Sequence, residues 1–343
     1  MSDARHWDAD TQAENPMKRR LASSTVNPVG LGCMSLSHAY GTPPARDDAI
    51  RLLNQALDLG YDHLDTAALY GFGANEALIG EAVAHRRDEY FLASKCGMTG
   101  VDGKRVIDGR PETLRATIEQ SLTRLRTDRV DLYYLHRWDK SVPIEESVGE
   151  LARLVAAGKI GAIGLSEVSA ATLRRAHAVH PIAAVQNEYS LWSRNVELGV
   201  LAACAELGTT LVAFSPVARG FLAGALASPD ALEERDIRRM MPRFSPENFA
   251  RNLDLLHALR RIADGRGITP AQLCLQWVFA QGEHIVAIPG TTSPTHLAEN
   301  FAAPVEPLPG DVLAELDRIF APDAIAGPRY PAATQAEIDT EEF

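Results

Sequence analysis

Short apolar runs recur along the chain at residues 29–34, 61–66, 90–94, 131–136, 162–166, 184–188, 211–215 and 284–289. Each is mostly apolar without strict alternation, the pattern of parallel strands covered on both faces. Helical patterns with proper ends lie between them. Residues 47–59 place Ile50, Leu53 and Leu57 on one stripe, and Gly60 follows as a C-terminal stop. Pro111 occupies a first helical position ahead of a buried face of Leu114, Ile118, Leu122 and Leu125. A third stretch, 143–157, ends at Gly158, and Ser169 suits the N-cap of a helix carrying Leu173. Strand ends recur at similar intervals as far as Ser215. The next interval is much longer and calls for an insertion over residues 218–252.

Eight βα units predict an α/β protein built as a single (β/α)8 TIM barrel. The competing architecture, an open doubly wound sheet, would carry G-x-G-x-x-G after its first strand. Here that strand ends Gly30-Leu31-Gly32-Cys33-Met34-Ser35, without the third glycine. Gly158-Lys159-Ile160-Gly161 precedes a strand instead of following one. The expected organisation is a tail over residues 1–20, the barrel over 21–320 and an irregular C-terminal segment over 321–343.

Composition narrows the partners. The 343 residues are 46% hydrophobic and 23% charged, ordinary for a soluble chain with a large core. A net charge of −11 disfavours nucleic acid. No apolar run approaches the roughly 20 residues of a membrane span, so no membrane partner is expected. Cys33, Cys96, Cys204 and Cys274 are scattered without a C-x-x-C pair, which removes zinc ribbons and thioredoxin-like motifs. With a polar N-terminus lacking an apolar signal core, a reduced, cytoplasmic setting is expected. Nothing in the pattern reads on oligomeric state.

In a barrel the site forms where the strands end. Asp65 ends the second strand, Lys95 the third and His136 the fourth, and Tyr70 lies five residues past Asp65. Together they make sense as a proton donor to a carbonyl. A phenol of pKa about 10 is a weak acid at neutral pH. A buried Lys95 ammonium would favour the phenolate and lower the pKa of Tyr70, and Asp65 would keep that lysine charged. His136 would orient the substrate oxygen or share the proton. Phe72, Trp138, Trp192 and Tyr330, with Met34, are expected to line an apolar substrate pocket. His177-x-x-His180 has helical spacing but no third ligand, and no His-x-His follows a strand, so no metal site is expected.

Leu64-Asp65-Thr66-Ala67, Tyr70-Gly71, Asn75-Glu76, Ser94-Lys95 and Leu135-His136 resemble the tetrad motifs of the aldo-keto reductase superfamily. Further matches follow in order: Gly161 to Glu167, Val185 to Ser190, Phe214 to Gly220, and Ile288 to Thr291. Met241-Pro242-Arg243-Phe244 and Gly327-Pro328-Arg329-Tyr330 are similar to a bacterial and fungal branch. The resemblance covers roughly residues 28–300.

It implies NAD(P)H-dependent reduction of an aldehyde or ketone, with a nicotinamide cofactor extended across the barrel mouth. Gly32 and Met34 would face that cofactor, Ser166 and Gln186 would bind the carboxamide, and Phe214 would stack on the nicotinamide. Ser215, Pro216, Ala218, Arg219 and Gly220 would wrap the pyrophosphate with backbone N–H groups. Gly290, Thr291, Thr292 and His296 would surround the adenosine 2′-phosphate, and Glu299 and Asn300 would contact adenine. No lysine or arginine stands in the stretch Gly290 to His296, so the preference for NADP(H) over NAD(H) is implied by the resemblance alone. Two other readings stay open, a Schiff-base aldolase using Lys95 and a cofactor-bound regulatory subunit. The C-terminal segment, with Ile325, Arg329 and Tyr330 among its prolines, is expected to fold over the active-site rim without contributing to stability.

Overall fold

The computed structural model describes residues 18–343, and there the apolar runs become a closed parallel sheet. A short hairpin comes first, β1 (Arg19–Leu21) and β2 (Ser24–Val26). Then follow β3 (Leu31–Gly32), α1 (Arg46–Leu59), β4 (His63–Asp65), α2 (Ala74–Val83) and β5 (Phe91–Cys96). A second hairpin, β6 (Met98–Val101) and β7 (Lys104–Ile107), leaves the end of β5. The alternation resumes with α3 (Pro111–Leu125), β8 (Val130–Leu135), α4 (Ile144–Ala156) and β9 (Ile160–Ser166). It continues with α5 (Ala170–Val179), β10 (Ile182–Glu188), α6 (Val200–Leu207) and β11 (Thr210–Phe214). Turns and 3-10 segments fill residues 218–245. After them come α7 (Pro246–Arg266), α8 (Pro270–Ala280), β12 (Ile285–Ala287), α9 (Pro294–Phe301), α10 (Gly310–Ile319) and the single turn α11 (Ala332–Gln335).

Eight of the strands pair in the order β12-β11-β10-β9-β8-β5-β4-β3, all in parallel. The ring closes where Val29 bridges Ala287, Gly30 N–H donates to the Ala287 carbonyl (2.8 Å) and Ala287 N–H donates to that of Pro28 (2.8 Å). Glycine is required at this seam, because a Cβ on Gly32 would sit 2.7 Å from the Ile288 carbonyl oxygen. The (β/α)8 barrel expected from the apolar runs is the fold.

Two boundaries move. The expected tail falls outside the described residues as far as residue 17, but Arg19 and Arg20 pair in the hairpin. Arg19 donates to the carbonyls of Gly282 (2.8 Å) and Phe279 (3.1 Å), fixing the hairpin to the barrel. The insertion ends at Ser245, earlier than expected, because Ser245 caps α7 through the N–H of Asn248.

The barrel interior follows the two-residue period of a strand. Leu21 and Val26 of the first hairpin plug one end against Phe91, Ala93, Leu132, Tyr134, Ala184, Val212 and Val286. One step further along the same faces stand Lys95 after Ala93, His136 after Tyr134, Gln186 after Ala184 and Phe214 after Val212. The pleat thus turns a packed apolar core into a polar floor at the strands' C-terminal ends.

Outside the sheet, α2 and α3 meet so closely that a Cβ on Gly80 would lie 2.2 Å from the Arg124 carbonyl oxygen. Gly80→Ala should therefore destabilise the protein by about 1–3 kcal/mol through overpacking, although alanine is favoured in a free helix by about 1 kcal/mol. Denaturant unfolding measures this, and an unchanged or raised stability would contradict the close approach.

Candidate active site

Lys95 at the end of β5 is fully buried, so its ammonium must be satisfied by protein oxygens. It donates to Asp65 Oδ1, to the Thr66 carbonyl (2.8 Å) and to the Tyr70 hydroxyl (3.1 Å). Gln186 Nε2 donates to the other Asp65 oxygen at 2.7 Å. The His136 ring stands edge-on to Tyr70 with centroids 5.8 Å apart, and its buried Nδ1 has no hydrogen-bond partner.

The loop carrying Tyr70 is set by left-handed backbone. Gly71 (φ 57°), Phe72 (φ 53°) and Gly73 (φ 95°) reverse the chain into α2. Buried Asn75 anchors the turn: it accepts from Thr66 Oγ1 (2.6 Å) and donates to the Cys33 carbonyl (2.8 Å). Glu76 beside it accepts from Ser94 Oγ (2.6 Å) and Arg124 Nε (2.8 Å).

Burial pushes the Tyr70 phenol above its ordinary value, against the pull of Lys95 and Arg137. The lowered pKa expected from the ammonium is thus outweighed by desolvation. Burial opposes the Lys95 charge, but Asp65 and Tyr70 more than compensate and hold it above the usual lysine value. Burial, reinforced by Arg137, Lys95 and Arg105, drives His136 well below the usual imidazole range, so it is neutral.

This cluster lies at one end of a cavity of about 770 Å³ across the barrel mouth. Gly32, Met34, Ser166, Gln186, Phe214, Ser215, Pro216, Arg219 and Gly220 line it, followed by Gly290, Thr291, Thr292, His296, Glu299 and Asn300. Ala218 does not: it is buried, and its N–H bonds the Ser215 carbonyl (2.9 Å). Gly220 N–H is likewise spent on the Val217 carbonyl (3.1 Å), so these two donors are unavailable to a pyrophosphate.

Of the expected substrate residues, only Tyr330 and Met34 reach the cavity. Trp192 is core, stacked on Phe221 at 4.7 Å beneath the insertion. Trp138 is half-buried against the outer core, donating to the Val142 carbonyl (2.9 Å) with Arg175 over its ring. Phe72 is 58% exposed and covers Gly100 of the second hairpin. Aromatic type alone carries no direction, which is why the sequence could not tell these three from Tyr330. It also passed over Tyr40, Met98, Arg105, Arg137 and Arg238, which line the cavity. Of these, Arg137 carried a signal, standing immediately beyond the strand-end histidine.

Sequence reading equally missed a buried ion-pair network. Arg329 donates to Glu167 Oε1 (2.5 Å) and Glu188 Oε2 (2.9 Å), while Arg219 donates to Glu188 Oε2 (3.0 Å) and the Tyr330 hydroxyl (3.1 Å). It ties the C-terminal segment to the barrel rim, where Tyr330, Pro331 and Thr334 border the cavity. Asp339 also accepts from the N–H of Ser169 (3.1 Å). The segment thus folds over the rim as expected and is anchored there by buried ion pairs, which the expectation of no contribution to stability did not include.

Fold and site together define a barrel enzyme architecture, with a proton-bearing cluster at the end of a long mouth cavity. A model of the aldo/keto reductase family matches residues 28–321. The chain belongs to the aldo/keto reductase family. It is 42% identical over 327 residues to the aldo-keto reductase yakc [NADP(+)] of Schizosaccharomyces pombe, covering 93% of this chain and 96% of that one. Among solved structures it is similar to the glycerol dehydrogenase AKR11B4 of Gluconobacter oxydans (TM-score 0.81, 28% identity, 93% of this chain and 99% of that one). It is also similar to a Klebsiella pneumoniae aldo-keto reductase in complex with NADPH (TM-score 0.69, 28% identity, 94% and 99% covered). Among the described residues no helix is long and apolar enough to cross a membrane, and no group of three His, Cys, Asp or Glu side chains is arranged for a metal.

Burial opposes the charge of Glu188, yet Arg219 and Arg329 hold its carboxyl down at about 2. A depressed carboxyl stabilises fully above the unfolded value of about 4.5, and that contribution is lost as pH falls toward about 2. Glu188→Gln should lower stability at neutral pH but flatten its loss between about pH 5 and pH 3. Urea unfolding at both pH values checks this; an acid slope equal to wild type would contradict the assignment.

Proposed function

We propose that the chain reduces aldehydes or ketones with NADPH, Tyr70 delivering the proton. The observation that carries this reading is the Tyr70 hydroxyl, held at 3.1 Å by a fully buried ammonium at the wall of the mouth cavity. The cavity suits an extended dinucleotide: its volume lies within the usual range of cofactor sites, and the buried Ser35 Oγ in its lining lacks a partner. When bound, a reduced nicotinamide supplies a hydride to the carbonyl carbon. Around it, Ser166 and Gln186 would hold the carboxamide and Phe214 the ring face, with Arg219 toward the phosphates and Glu299 and Asn300 toward adenine.

Tyr70 keeps its proton at neutral pH as an ordinary phenol does, burial reinforcing this, and Lys95 polarises the O–H and stabilises the phenolate left after transfer. Neutral His136 is placed to donate to the substrate oxygen or accept from it. The geometry favours this chemistry over a Schiff base: Lys95 Nζ has three oxygen partners and stays charged, whereas a nucleophilic amine needs a free lone pair. The names of the Schizosaccharomyces and Klebsiella relatives, one carrying NADP(+) and one NADPH, support the choice of cofactor.

Tyr70→Phe should cut kcat by about 10²–10⁴ while NADPH binding survives. Near-wild-type kcat with a substrate whose chemistry is rate-limiting would sink the assignment. Lys95→Met should do similar damage. Because the ammonium pulls the Tyr70 pKa down, the alkaline fall in the variant's residual activity should also move to higher pH.

No arginine or lysine lines the cavity between Gly290 and Asn300. NADPH should therefore bind more tightly than NADH by a narrow margin, since a charged hydrogen bond worth about 1.5–3 kcal/mol is missing. Thr292→Arg should tighten NADPH selectively in fluorescence titrations. Equal tightening of both cofactors, or none, would place the 2′-phosphate elsewhere.

A further inference from the structure

Arg137 stands on the rim immediately after His136, and its guanidinium is the least satisfied charge in the cavity. Nη1 donates to the His136 carbonyl (2.7 Å) and to Ser166 Oγ (3.3 Å), while the buried Nε has no partner. The other arginines of the cavity each carry a carboxylate: Arg105 has Glu337, Arg219 has Glu188 and Arg238 has Asp236. Among the described residues, Arg137 has none within ion-pair distance.

Neither acid of the lining is free to serve it. Asp65 is occupied by Lys95 and Gln186, and Glu299 belongs to the stretch beyond Gly290, alongside Asn300. A buried donor left unmet is costly, because its desolvation is not repaid. A planar guanidinium with open donors is the group best shaped for a carboxylate. Its Nη1 bonds to the His136 carbonyl and Ser166 Oγ, and it lines the same cavity as Tyr70 and His136, which puts it at the end where the proton-bearing cluster stands.

We propose that Arg137 recognises an anionic group of the substrate, and that the favoured substrates are small carbonyl compounds carrying a carboxylate. The proposal rests on the reductase reading above and adds the substrate class. Arg137 acts by binding and orienting, with the proton still delivered from Tyr70. Glu337 blunts the neighbouring Arg105, leaving Arg137 as the discriminating charge.

The test compares 3- and 4-formylbenzoate, each with its own methyl ester, as substrates with NADPH. Arg137→Gln should lower the acid-to-ester ratio of kcat/KM by about 10-fold or more for at least one isomer. Any general damage to Tyr70 or His136 cancels in that ratio. Arg137→Lys should restore part of it. A ratio within twofold of wild type for both isomers overturns the proposal while leaving the reductase reading intact. Failure of the wild-type enzyme to reduce any of the four compounds counts against the reductase reading itself. Should Arg137→Gln not fold, inhibition of the wild type decides: benzoate should compete with the ester and benzamide should not. Equal inhibition by the two, or none, overturns the proposal.

Discussion

One ammonium organises the mouth of this barrel. Lys95 is carried into the interior by a strand whose preceding inward residues are Phe91 and Ala93, so no water reaches it. A charge so placed persists only where oxygens are fixed around it. The Asp65 carboxylate, the Thr66 carbonyl and the Tyr70 hydroxyl supply them. Those groups come from β4 and the loop after it, so the parallel register of β4 with β5, Leu64 beside Leu92 and Asp65 beside Ala93, is what brings the cluster together. The same requirement accounts for the left-handed turn after Tyr70 and the buried Asn75 that anchors it.

A second buried charge set governs the other side of the mouth. Glu167 and Glu188, at the ends of β9 and β10, receive Arg329 from the C-terminal segment, and Glu188 also receives Arg219. Removing either arginine would leave a buried carboxylate short of its partner, a defect that commonly costs about 3–5 kcal/mol. The network therefore joins the loop carrying Arg219 to the C-terminal segment at the cavity rim, with Tyr330 bonded to Arg219 between them.

The strands and the tetrad were readable because both follow local rules. Apolar runs mark strands buried on both faces, and the barrel puts chemistry at their ends. Asp65, Lys95 and His136 needed only those rules. The first hairpin escaped because each arm is three residues and Arg19-Arg20-Leu21 shows no apolar run. The direction of an aromatic side chain depends on tertiary neighbours, so Trp192 under the insertion and Trp138 packed between the core and Arg175 were indistinguishable from Tyr330. Arg329 marked the C-terminal segment as more than a solvated tail, but nothing local pairs it with Glu188, and only their meeting across distant segments makes them core. The net rise in the Tyr70 pKa was hidden for the same reason, since the ammonium was visible in sequence and the depth of burial was not.

On the proposal that Tyr70 delivers the proton, Asp65 acts on turnover through the charge of Lys95. A double-mutant cycle in kcat/KM with NADPH and a small aldehyde tests it most directly, using Asp65→Asn, Lys95→Met and the pair. If the carboxylate serves only to hold the ammonium, the double variant should be no worse than Lys95→Met alone. Losses that multiply, with the double variant falling by the product of the single effects, would show the two groups acting independently and contradict the account.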